Sequence, residues 1–149
     1  MTLRIGLHRS TGLVSSLIKW QTRSQYSHAS LILPSGLILE SIQGKGVVMD
    51  RWYALRDDID VFTVAIREEQ EHAVIDFAKQ QLGKPYDYTM VLRFISRRQA
   101  TRKTSGKWFC SELVFASYLE AGIALLRDTE PWEVSPELLS KSPYLIPAR

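Results

Sequence analysis

The chain has 149 residues, 45% of them hydrophobic and 23% charged, with a formal net charge of +3 at pH 7. That size fits a single domain, 1–149, with one core and little room for a second. The composition excludes a membrane span, which needs an apolar run of about 20 residues, and the slight positive charge does not by itself argue for nucleic acid.

A secretory leader is not expected. Arg4, His8 and Arg9 interrupt the first apolar residues, and no small-residue cleavage site follows an apolar run. The chain as written is therefore expected to stay in the cytoplasm unless another route exports it. Its one cysteine excludes an intramolecular disulfide and a cysteine-rich structural zinc site. A lone cysteine is then either a small buried hydrophobe or a reactive thiol, and its surroundings decide which.

Residues 3–7 read as a short strand. The apolar residues Leu13, Val14, Leu17 and Ile18 have helical spacing, and a polar loop follows over 21–27. Two β-prone runs, 28–33 and 37–42, flank Pro34-Ser35-Gly36. This is a hairpin signal in which Gly36 supplies the left-handed residue. Residues 46–50 and 60–66 predict two further strands, so the first half is a small, mostly antiparallel sheet.

The second half changes period. Glu68, Glu69 and Glu71 favour a helix start. Ala73, Val74, Phe77, Ala78 and Leu82 mark one helical face, and Gly83 is a natural stop. Lys84-Pro85-Tyr86-Asp87 is a turn, 88–95 a short helix, and 96–107 an exposed polar loop. Residues 109–121 predict a strong helix ended by Gly122, and Ser135-Pro136 opens a last short helix to Leu139. A sheet combined with helices in this order is an α+β domain.

Cys110 sits at the start of the predicted 109–121 helix. Unpaired N–H groups and the dipole there favour a thiolate and can receive a developing oxyanion. His28 opens a strand after a polar loop. In the hairpin, Leu33 opposite Leu37 puts Ser30 opposite Glu40. His28, Ser30, Ile32, Ile38, Glu40 and Ile42 then share one face. Glu40 lies diagonal to His28, with Cβ atoms roughly 7–8 Å apart, a gap that a glutamate can bridge. Cys110, His28 and Glu40 thus fit the pattern of nucleophile, base and orienter. A register slip of one residue would separate the last two.

The ordered motifs S-H-A-S-L-I-L, L-I-L-E-S, G-K-P-Y-D and F-C-S-E-L-V resemble the permuted branch of the NlpC-type papain-like superfamily, particularly the YiiX/YebB-like proteins. The lecithin retinol acyltransferase family is a more distant relative. The resemblance spans roughly residues 12–122 and implies a circularly permuted papain-like fold. It also implies Cys110 as nucleophile, His28 as base and Glu40 as third member of the triad. The implied function is a cysteine hydrolase acting on an amide or peptide bond, such as a cell-wall peptide, through an acyl-enzyme. The alternative is a lipid acyl hydrolase or acyltransferase on the same triad.

Trp108 is the aromatic residue expected beside the nucleophile. Tyr86 and Asp87 read as a structural turn with Asp87 as a cap, and Glu112 as a complement to the helix dipole. Arg93, Arg97, Arg98, Arg102, Lys103 and Lys107 form a basic stretch without an intervening acid. It reads as a solvated loop, or as a surface for an anionic polymer or membrane in a non-catalytic binding module. It lacks the interleaved aromatics of a single-strand nucleic-acid platform. His8 and His72 read as surface residues. A metal site drawn from His8, His28, His72 and Cys110 would require unrelated elements to converge, so neither a metal nor a cofactor is expected.

Overall fold

A computed structural model describes residues 2–9, 25–51, 58–89 and 106–148. Five antiparallel strands form most of the sheet: β1 (Arg4–His8), β2 (His28–Ile32), β3 (Leu37–Ile42), β4 (Gly46–Arg51) and β5 (Ile59–Thr63). The two-residue β6 (Ile146–Pro147) completes the order β4-β3-β2-β1-β5-β6. Helices α1 (Glu68–Gln80) and α2 (Cys110–Glu120) follow, then a 3-10 turn at Pro131–Glu133 and the short α3 (Pro136–Ser140). The α+β expectation holds. The predicted helical stripe around Leu13 to Ile18 and most of the predicted 88–95 helix lie outside the described residues.

The hairpin forms as its loop chemistry dictates. Gly36 takes φ 85°, the left-handed region that glycine tolerates best. Its N–H donates to the Leu33 carbonyl at 2.9 Å, while Leu33 N–H donates to the Leu37 carbonyl at 2.8 Å. The resulting register, Leu31 opposite Leu39 and Ile32 opposite Ile38, is the one the loop length predicts. Continuing it places Ser30 level with Glu40.

Alternation then divides the sheet's two faces. Leu3, Ile5, Leu7, Ala29, Leu31, Leu33 and Leu39 join Val74 and Ala78 of α1 and Leu113, Val114, Phe115 and Tyr118 of α2 in one core. Burying a leucine- or phenylalanine-sized side chain stabilises by about 1.5–3 kcal/mol, so this layer dominates the fold. Gly6, His8, His28, Ser30 and Ile32 fall on the other face. There Ile32, Ile59 and Val61 make a second, smaller apolar cluster.

Two hydrogen bonds join the sheet to the turn after α1. Val47 N–H donates to the Lys84 carbonyl and Gly83 N–H to the Val47 carbonyl, both at 2.9 Å. Gly46 permits that approach: it has φ 77°, and a Cβ there would run into the Lys84 carbonyl. Tyr86 then forms a parallel bridge with Trp108, which brings the chain to the start of α2.

Candidate active site

Contacts from the sheet and from the turn after α1 hold the backbone at the start of α2. The Trp108 carbonyl accepts from Ser41 Oγ at 2.7 Å and from the Asp87 N–H at 3.0 Å, and Trp108 N–H donates to the Pro85 carbonyl at 3.0 Å. Its indole Nε1–H donates to Gln81 Oε1 at 3.1 Å, and the ring meets Phe77 edge-on with centroids 6.0 Å apart. Ser41 lies one residue along β3 from Glu40. The same strand end therefore holds both Glu40 and the approach to Cys110.

Cys110 is the first residue of α2 and 1% exposed. The Phe109 N–H donates to Glu112 Oε1 at 3.1 Å, satisfying one of the donors a helix start leaves open. Glu112 is fully buried, so it acts as a cap inside the core as well as the dipole complement read from its position. Ser111 Oγ donates to the Val134 carbonyl at 2.6 Å, tying α2 to the segment before α3.

His28 opens β2, and its Nε2 stands 3.2 Å from Glu40 Oε2. Both side chains are mostly buried, at 16% and 17% exposed. Burial alone would pull the His28 imidazolium down. The charge of a Cys110 thiolate, a hydrogen bond to that thiol, and the hydrogen bond and charge of Glu40 together outweigh burial and lift His28 to about 10. The structure therefore brings His28, Glu40 and Cys110 together, with the imidazole as the shared partner.

Two residues that sequence reasoning set aside also lie at this site. His8, expected at the surface, is 3% exposed. Strand β1 runs one residue past its predicted end, so His8 pairs with His28. Their rings meet edge-on with centroids 4.7 Å apart, and His8 Nε2 lies 2.7 Å from Ser30 Oγ. The available signal was the position of His8 at the end of an alternating strand, which needs the β1–β2 register before it means anything.

Tyr86, read as part of a turn, is buried against Phe109 and Tyr88. Burial first, and then the negative charge of a Cys110 thiolate, push its phenol well above the ordinary value, while a hydrogen bond with Gln43 acts the other way. A phenol kept neutral beside the thiol is a hydrogen-bond donor.

The remaining assignments divide plainly. Asp87 caps as expected: its Oδ1 accepts from Thr89 N–H at 3.0 Å and from Thr89 Oγ1 at 2.5 Å. His72 is exposed on α1. Lys107 is exposed, whereas Arg93, Arg97, Arg98, Arg102 and Lys103 lie outside the described residues. Among the described residues, no helix is long and apolar enough to cross a membrane.

Comparison with known proteins bears on the family and the fold. A family model described as a permuted papain-like amidase enzyme, YaeF/YiiX, C92 family, matches residues 8–129. Among solved structures, the chain is similar to the crystal structure of the metalloprotein yiiX from Escherichia coli O157:H7. The TM-score is 0.76 at 21% sequence identity, covering 100% of this chain and 96% of that one, which shows a shared fold. No curated protein matches the chain.

Proposed function

This chain belongs to the permuted papain-like amidase family, and on that premise we propose that it cleaves an amide bond through Cys110, His28 and Glu40. One observation carries the reading: His28 has Glu40 at 3.2 Å and the Cys110 thiol as its other polar partner. A histidine with a carboxylate on one side and a thiol on the other fits a general base with its orienter.

In this mechanism the pair rests as thiolate and imidazolium. The Cys110 sulfur attacks the amide carbonyl carbon, and the C=O π electrons move onto oxygen. Backbone N–H groups at the start of α2 donate to that oxyanion, and the neutral Tyr86 phenol is placed to assist. As the C–N bond breaks, His28 delivers its proton to the departing amine. Water then attacks the thioester, with His28 taking its proton, and the sulfur departs as thiolate. Glu40 keeps the ring oriented and favours its charged form throughout.

The favoured substrates are peptides, including cell-wall peptides, because the family's chemistry is at amide bonds. A lipid acyl bond is the second reading, supported by the same thiol chemistry.

The test is iodoacetamide labelling of Cys110 at mildly acidic pH, in wild type and in His28→Ala, followed by trapping of an acyl-enzyme from amide and ester substrates. Rapid labelling lost in His28→Ala, together with an acyl adduct on Cys110, is expected. Equal and slow labelling in both proteins would overturn the reading.

A further inference from the structure

The triad leaves His8 unexplained. It is a buried imidazole (3% exposed) set edge-on against the proposed base. One ring nitrogen of His8, one of His28 and one carboxylate oxygen of Glu40 all lie within 4.8 Å of one another. Two imidazoles and one carboxylate are a common three-ligand set for zinc, which leaves the fourth position open. Donors about 2.0–2.1 Å from a tetrahedral ion stand roughly 3.3 Å apart. His28 Nε2 and Glu40 Oε2 are already 3.2 Å apart.

The surroundings fit as well. Ligating histidines are ordinarily held by a further hydrogen bond that sets their orientation, and Ser30 Oγ at 2.7 Å from His8 Nε2 takes that role with Nδ1 as the ligand atom. Room for that contact comes from Gly6, where a Cβ would stand 2.8 Å from Ser30 Oγ and 3.4 Å from His8 Nε2. Gly6 and Ser30 are paired across the strands, as are His8 and His28. The sequence thus places its smallest residue beside the two groups that orient the extra histidine. Cys110 is not a member of this donor group.

We infer that His8, His28 and Glu40 form a site for a zinc-class divalent cation, and that filling it stops His28 from relaying protons for Cys110, which silences turnover. The cation replaces the proton on the His28 nitrogen that faces Glu40, and that proton goes to buffer. Glu40 then serves the ion, and the ring, with the cation on one nitrogen and a proton on the other, can no longer take up and return a proton between thiol and substrate. The silencing half rests on the proposed hydrolase mechanism; the binding half does not.

The experiment uses the full chain stripped with a chelator and titrated with zinc by calorimetry, with cobalt as an optical probe. Wild type and Cys110→Ser are expected to bind about one equivalent without a thiolate-to-cobalt band. His8→Asn and Glu40→Gln, each shown to be folded by circular dichroism, are expected to bind at least about tenfold more weakly. Zinc is also expected to slow formation of the acyl adduct on wild-type Cys110 at least about tenfold, and to lose that effect in His8→Asn against the variant's own zinc-free rate.

No zinc binding by wild type overturns the site. So does a thiolate band, or loss of binding in Cys110→Ser. Binding that depends on His8 but leaves formation of the acyl adduct unchanged overturns the silencing. Failure of the hydrolase reading is seen separately, as zinc-free labelling that does not differ between wild type and His28→Ala.

Discussion

Helices α1 and α2 contribute to the same core but are built in opposite ways. Of α1, only Val74 and Ala78 are fully buried, and Glu68, Glu69, Asp76 and Lys79 face water. Of the eleven residues of α2, nine are buried, including Ser111, Glu112 and Ser117. Polar groups are costly inside a core unless paired, and these three find partners close at hand. Glu112 takes the Phe109 N–H, Ser111 Oγ reaches the Val134 carbonyl, and Ser117 Oγ donates to Leu113 carbonyl at 2.7 Å. An amphipathic helix such as α1 needs only one apolar stripe. A helix enclosed on all sides has its end fixed in space, which is what a nucleophile at that end requires.

Substitutions can sharpen this contrast. The largest effect is expected for Cys110→Ala, which should lower amide turnover by about 10⁴-fold or more while leaving the melting temperature close to wild type. His28→Ala should slow Cys110 labelling by about 10²–10⁴-fold. Leu113→Ala in α2 should cost about 2–5 kcal/mol in a denaturant titration, whereas Ile75→Ala on the half-buried side of α1 should cost roughly 1 kcal/mol. Equal costs for those two would undo the contrast. At the small end is Tyr118→Phe. The Tyr118 hydroxyl is buried and has no hydrogen-bond partner among the described residues, so removing it should leave stability within about 1 kcal/mol or raise it.

The site was legible where local rules determine it. Loop length and Gly36 set the β2–β3 register, and with it the meeting of His28 and Glu40. Helical periodicity and Gly122 bounded α2 and put Cys110 at its start. What escaped depends on pairings that no local rule announces. His8 gains meaning only once β1 is laid against β2, strands separated by a long stretch of chain. Tyr86 does so only once the turn after α1 is bridged to Trp108. Glu112 read as a complement to the helix dipole, which its place in the first turn suggests; its burial follows from how deeply α2 is enclosed. Strand β6 carries too few residues to show a period.

The Gly46–Lys84 approach has a consequence for how molecules of this protein meet one another. Strand β4 ends the sheet on one side, and a bare strand edge invites a second copy to pair along it. Here both backbone groups of Val47 are already engaged by residues 83 and 84, which that close approach makes possible. On the opposite side the last strand is two residues long and includes Pro147, which has no N–H to donate. Val47 on one margin and Pro147 on the other thus offer a second copy less to pair with than a bare edge would.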